Sequence, residues 1–336
     1  MIKFILKAGY DIFIRDKVLE CSSKTVVYYR QNLEAFMDWL ENKLEKKREE
    51  IYLDDITIND LKDYTAYLKT RERVVAGCAS AGSQEKNKKP ITNVTIQTYQ
   101  RALRSFFNYC YDENLMNYDI ADRFRLQRAE KKEILPVTRD EMRLIDKQYK
   151  IATEGGCRNL CILHMMIDQG ARRGEVLALR NKDIMYDKSL LLLRGKGNKE
   201  RLLPLSRVLA KYLSNYQLRY RKNGKSDVEF ADEYVFRSMR NGLLTDTAIN
   251  QLFRHLREKT GIERLHPHLL RHTFATSYIM MGGDVASLRI LMGHDSIMTT
   301  DSYLHLACKH ELIGSDVYQL DSIFFRRPGG GSYERR

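Results

Sequence analysis

The first part of the chain sets apolar stripes at helical spacing between polar turns. Val26, Tyr29, Leu33, Phe36, Leu40 and Leu44 recur three and four residues apart behind Ser22-Ser23, which predicts an amphipathic helix opened by a serine. Thr57-Ile58-Asn59-Asp60 reads as a capping box with aspartate in the glutamate position, opening a helix through Leu61, Tyr64 and Leu68. Residues 77–90 (GCASAGSQEKNKKP) are small, polar and basic, which predicts a flexible loop, long for a compact helical unit. A third helix starting at Thr92 or Asn93 carries Ile96, Tyr99, Leu103, Phe106 and Cys110. Trp39 and several tyrosines are core candidates, since aromatic stripes at this spacing usually pack inward.

Beyond residue 128 the pattern changes. Residues 127–137 (QRAEKKEILPV) are charged and end near Pro136, as an interdomain linker does, and Thr138-Arg139-Asp140-Glu141 is a second capping box. Two helices carry the chain to Gly170. Residues 189–194 and 200–205 predict short strands joined by the glycine-flanked turn 195–199, a hairpin. Helices follow near 207–221, 245–259, 267–281, 285–291 and 299–309. Residues 311–325 predict one more amphipathic helix, with Leu312, Val317, Leu320 and Ile323 apolar. Residues 326–336 (RRPGGGSYERR) cannot bury apolar area and predict a disordered tail. The expected fold class is mostly α (α+β): an N-terminal helical bundle, then a mainly helical domain with a small β-hairpin.

Charge narrows the partners. The 336 residues carry 57 Lys and Arg against 44 Asp and Glu, a net charge of +13. Residues 1–128 hold 22 basic against 19 acidic side chains, so the excess is concentrated after them. That points to a polyanion, and nucleic acid first; the loop at 77–90 is then either a place for contact with a DNA backbone or simply disordered. Six cysteines without a CxxC pair read as reduced thiols. No run approaches a membrane span, and the expectation is a soluble, cytoplasmic, nucleoid-associated protein without membrane contact. There is no GxxxxGK[ST] phosphate loop and no HExxH motif, so neither metal nor cofactor is expected.

The chemistry-bearing stretch is 266–305, which holds His266, His268, His272, His294, His305, Arg271 and Tyr303. Pro267 suits a first helical turn, and His268, Arg271 and His272 then fall three and four residues apart on one face. Upstream, Gly170-Ala171-Arg172-Arg173-Gly174-Glu175 follows an apolar helix, and Lys196 sits in the glycine turn of the hairpin. Arg172, Lys196, His268-Leu269-Leu270-Arg271, Leu291-Met292-Gly293-His294 and Tyr303 resemble, in order, the motifs of the tyrosine recombinase (phage-integrase-like) family. The resemblance covers about 136–310 as a catalytic domain and, more weakly, about 1–128 as a helical core-binding domain. It implies domains at 1–128 and 138–325, a linker at 129–137 and a tail at 326–336. Arg173 and Gly174 depart from the family pattern, where an apolar and a small residue are common; position relative to Gly170 and Glu175 favours Arg172 over Arg173.

Those residue types suit phosphodiester cleavage. Arginine binds two phosphoryl oxygens through its fork and stays charged, so Arg172 and Arg271 are the expected charge clamp. Tyrosine is a weak nucleophile because its phenol titrates near 10, and it needs a base or cationic neighbours. The resemblance implies that Tyr303 attacks phosphorus to give a 3′-phosphotyrosyl link. His268 is then the base, His294 a donor to a phosphoryl oxygen and Lys196 the acid for the 5′-oxygen, with Lys199 second to it. Glu175 is expected to orient the arginine. His266, His272 and His305 match no catalytic position, and Tyr333 lies in the tail.

The expected activity is site-specific DNA recombination, for integration, excision, inversion or resolution, as in mobile elements. The alternatives are DNA relaxation of the type IB topoisomerase kind and a catalytically idle DNA-binding protein. Family members imply double-stranded DNA with inverted half-sites as partner, a homotetramer on two DNA sites, and a C-terminal helix packed on a neighbouring protomer, the alternative being packing within its own chain. No additional N-terminal arm-binding domain is expected.

Overall fold

In the computed structural model the described residues are 3–74, 88–128, 134–195, 199–221, 233–238, 242–293 and 316–325. They fall into two units, Met1–Glu133 and Ile134–Arg336. Expectations for Lys196, His294, Tyr303, His305 and Tyr333, for the helix at 299–309, for most of the loop at 77–90 and for the tail lie outside the described residues.

The first unit is a bundle of α1 (Leu6–Glu20), α2 (Ser23–Leu44), α3 (Ile58–Thr70) and α4 (Asn93–Asp112). Local chemistry starts three of them. Ser22 caps α2 by accepting from the Thr25 N–H, Thr92 does the same for α4 from Thr95, and Thr57 with Asp60 forms the capping box of α3. Phe13, Phe36, Phe106, Phe107 and Tyr64 are fully buried at its centre. Trp39 is only partly buried, and stacks on Phe36 at 6.0 Å between ring centroids. The loop expected at 77–90 is corrected at its end. Lys88–Pro90 forms strand β2, antiparallel to β1 (Glu72–Val74), so cross-strand hydrogen bonds order residues whose composition alone reads as coil.

The second unit is built around α6 (Glu154–Asp168), of which every residue from Leu160 to Asp168 is buried. A helix enclosed on all sides belongs at the centre of its domain. Packed against or around it are α5 (Arg139–Asp146), α7 (Arg173–Ala178), α8 (Arg207–Tyr216), α9 (Asp246–Thr260), α10 (Pro267–Met280) and α11 (Val285–Met292). The expected hairpin is present as β4 (Leu190–Arg194) and β5 (Glu200–Pro204), with Leu193 opposite Arg201. A third strand, β3 (Ile184–Met185), extends it on the β4 side and is too short to register as a sequence pattern. After α8 the chain continues as a π turn, Gln217–Arg221, so the helix expected to 221 stops being regular at Tyr216.

Two further stretches differ from expectation for tertiary reasons. The second unit begins inside the residues read as linker: Val137 is fully buried, and its N–H donates to Thr273 Oγ1 at 2.8 Å. The described part of the helix expected at 311–325 is not α-helical. Residues 316–321 lie outside any helix, with an isolated β-bridge at Val317, and a 3-10 turn follows at Ser322–Phe325. The Tyr318 N–H donates to Val137 O, Arg139 N–H donates to Asp316 O, and Val317 bridges Thr138. These inter-segment bonds replace the helical ones, and Leu320 and Phe324 are buried beside Phe274 and Tyr278 of the same chain.

Candidate active site

The structure brings three separated segments to one place. Gly170 follows α6 in the left-handed region (φ 59°), and a Cβ there would lie 2.7 Å from the ring of Phe274, so only glycine fits. This turn delivers Arg172 as the N-cap of α7, and Glu175 closes a capping box by accepting from the Arg172 N–H at 2.7 Å. The same carboxylate takes Arg172 Nη1 at 3.0 Å. Glu175 therefore orients both the backbone and the guanidinium of Arg172.

Arg172 also donates through Nη2 to the carbonyl of Gly293, 2.8 Å away. Gly293 ends α11 in the left-handed conformation (φ 58°), immediately before His294. Arg271, buried on α10, donates to the carbonyls of Gly170 and Met292. The turn before Arg172 and the end of α11 are thus tied to the helix that carries His268. Arg172 keeps 36% of its side chain exposed and can be reached by a ligand, whereas Arg271 is 5% exposed.

His268 lies on the exposed side of α10, one turn before Arg271. Partial desolvation, then the positive charges of His266, Arg271, Arg173 and Arg172, hold its pKa below the ordinary 6.5. It is therefore neutral near pH 7 and able to accept a proton. Glu175 is opposite in kind. Burial alone would raise its pKa, but the hydrogen bond and charge of Arg201, the Arg172 N–H and the charge of Arg271 outweigh this and keep it ionised.

The neighbouring candidates separate from this cluster. Arg173 turns to α9, with Nε 2.9 Å from Asp246 Oδ1 and Nη1 2.9 Å from Asn250 Oδ1. His266 caps α10, its Nδ1 accepting from the Leu269 N–H at 2.9 Å. His272 is buried, and its Nε2 lies 3.2 Å from the carbonyl of Ile134. Lys196 is outside the described residues, but the base of its hairpin is closed by the Gly195 N–H donating to Lys199 O at 2.8 Å.

One residue at the site escaped sequence reasoning. Arg201, on β5, places Nη1 2.5 Å and Nη2 2.9 Å from the two oxygens of Glu175. Its only sequence signal is parity: it shares a strand face with buried Leu203, and an arginine facing inward needs a carboxylate partner.

Among the described residues no group of three or more His, Cys, Asp and Glu side chains is arranged to hold a metal ion, and no helix is long and apolar enough to cross a membrane.

Comparison with known proteins places this geometry. Residues 137–310 match the Phage integrase family, and residues 10–126 match the Phage integrase SAM-like domain. A tyrosine recombinase XerC of Bacillus pumilus is 31% identical over 228 residues, 66% of this chain and 74% of that protein. The XerC of Oceanobacillus iheyensis is 28% identical over 312 residues, 91% of this chain and 93% of its own length. Among solved structures, the Tn1549 transposon integrase in complex with circular intermediate DNA superposes with a TM-score of 0.67 at 17% identity, covering 92% of this chain and 99% of that one. A lambda integrase dimer bound to a core site gives 0.64 at 16% identity, covering 90% and 77%. At such identities the structural likeness speaks to the fold alone.

Proposed function

The chain belongs to the phage integrase family, the tyrosine recombinases, and from that premise we propose that it cleaves and rejoins DNA at specific sites through a 3′-phosphotyrosyl intermediate formed by Tyr303. The observation that carries the reading is the convergence of Arg172, Arg271 and neutral His268 where the chain leads directly into His294, beside the hairpin whose turn holds Lys196. A cluster of fixed cations suits the phosphorane-like charge of the transition state, and such preorganised stabilisation is commonly the largest catalytic contribution.

In the proposed cleavage the Tyr303 oxygen bonds to phosphorus, and its phenolic proton passes to His268. Arg172 and Arg271 hold the non-bridging oxygens, His294 donates to one of them, and the bond from phosphorus to the 5′-oxygen breaks as Lys196 supplies a proton. The 5′-hydroxyl of another strand reverses these steps. No step requires a metal or an organic cofactor. The partner proposed is double-stranded DNA with inverted half-sites, bound by a homotetramer across two sites in the cytoplasm, on a mobile element or a chromosome. The domains proposed are 1–128 for core binding and, for catalysis, the unit that begins at Ile134 and runs to about 325.

A nicked suicide duplex tests the reading. A covalent protein–DNA complex forms with the wild-type chain and is lost in Tyr303→Phe; strand exchange between two sites then selects recombination over relaxation by a monomer. A complex that persists in Tyr303→Phe sinks the nucleophile assignment.

A further inference from the structure

Among the described residues of the site, Arg201 is the charged side chain whose role the proposed chemistry leaves open. It is 9% exposed and faces Glu175, itself 2% exposed, so the pair is shut away from solvent. Glu175 receives four hydrogen bonds: two from the Arg201 fork at 2.5 and 2.9 Å, one from the Arg172 N–H at 2.7 Å and one from Arg172 Nη1 at 3.0 Å. Oε1 is shared between the two guanidinium groups. Two-point binding of a carboxylate by an arginine fork fixes orientation as well as distance. Rotation of Glu175 would therefore break the contacts of both arginines together.

The surroundings confirm how little room that carboxylate has. A Cβ on Gly195 would stand 3.3 Å from Glu175 Oε1, and a Cβ on Gly293 would stand 3.1 Å from Arg201 Nη1 and 3.5 Å from Arg172 Nη1. Strand β5, the N-terminus of α7 and the end of α11 thus close around one ion pair. Arg172 is the exposed member of the set and Arg201 the enclosed one.

From this geometry we propose that Arg201 is a positioning residue for Arg172, gripping Glu175 so that the Arg172 guanidinium is held ready for a phosphate. The inference rests on the recombinase reading and adds to it the residue that sets the charge clamp, as distinct from the leaving-group side of the reaction. A displacement of about 1 Å in a charge-stabilising group is enough to cost on the order of 10² in rate.

The experiment separates those two sides. A random-sequence duplex pool first yields the cleaved sequence through its covalent attachment to the wild-type chain. That sequence is then made as a nicked duplex with either oxygen or sulfur bridging phosphorus to the 5′-carbon. A thiolate leaves without being protonated, so the sulfur duplex removes the need for an acid. Single-turnover cleavage by Arg201→Met is expected to fall about 10²-fold on both duplexes, with half-saturating DNA concentration changed less than about twofold and melting temperature monitored in parallel. Arg201→Lys, which keeps the charge but not the fork, recovers part of the loss. Glu175→Gln combined with Arg201→Met is no slower than the worse single variant. Should Arg201→Met fail to fold, Arg201→Lys carries the same comparison.

Sulfur restoring an Arg201 variant to near the wild-type rate, or additive losses in the double variant, overturns the proposal. Absence of any covalent complex from the wild-type chain sinks the recombinase reading and this proposal with it, so the two failures are distinguishable.

Discussion

Arg172 donates through Nη2 to the carbonyl oxygen of Gly293, 2.8 Å away across a separation of 121 residues. This bond joins the start of α7 to the end of α11, and thereby sets the position of the residue ahead of His294. The turn that follows α6 and the C-terminal end of α11 are consequently linked through a single guanidinium.

Arg172→Ala should lower single-turnover cleavage on the order of 10²-fold or more, with DNA affinity reduced far less. Arg172→Lys should recover little, since one ammonium cannot serve Glu175 and Gly293 together in the geometry of the fork. Quench-flow measurement of covalent complex formation decides this, and a lysine variant near wild-type rate would contradict it.

His268 predicts a pH dependence with a definite sign. Its pKa is lowered from 6.5 by partial desolvation and by the cations around it, so the neutral, proton-accepting form accumulates as pH rises through a value below 6.5. Cleavage by the wild-type chain should therefore climb on the acid side and level off by about pH 7. His268→Gln should cut the rate by about 10²–10⁴-fold and abolish that limb. An unchanged acid limb in the variant removes His268 from the role of base.

Gly170→Ala places a side chain where φ is 59° and where Phe274 stands 2.7 Å from the new Cβ. The expected destabilisation is about 1–3 kcal/mol, read as a lower urea midpoint, with cleavage impaired because Arg271 uses the Gly170 carbonyl. A midpoint equal to that of the wild type would show that the turn relaxes freely.

A buried polar network predicts a second pH effect, this one on stability. His164 Nδ1 lies 2.9 Å from Asp168 and Nε2 3.2 Å from Asp146, while Tyr318 and Ser206 donate to Asp168 at 2.8 and 3.1 Å. Burial opposes the charged ring, but the charges and hydrogen bonds of Asp168 and Asp146 prevail and push the His164 pKa up to about 10. A pKa raised above the unfolded value contributes stability that is complete below about 6.5 and is lost as pH climbs through about 10. Melting temperature should thus fall more steeply between pH 7 and 10 in the wild type than in His164→Gln; parallel curves would refute the charged histidine.

The alternation of apolar and polar positions was enough to place most helices, because their starts are decided by neighbours in sequence. Ser22, Thr57, Thr92 and Thr138 each satisfy backbone N–H groups within the next three residues, and Pro267 stands at the first turn of α10. The order of motifs likewise made the family legible, and from it Arg172, His268 and Arg271 are proposed for the chemistry. What a linear pattern cannot contain is pairing between distant segments. The non-helical course of residues 316–321 depends on bonds to Val137 and Arg139, and β2 exists only because β1 lies beside it. Arg201 reads as one more cation in a basic hairpin until the fold sets it against Glu175. Side chains become a site through separations of 26, 101 and 121 residues closed by packing around α6, and that closure belongs to the tertiary structure alone.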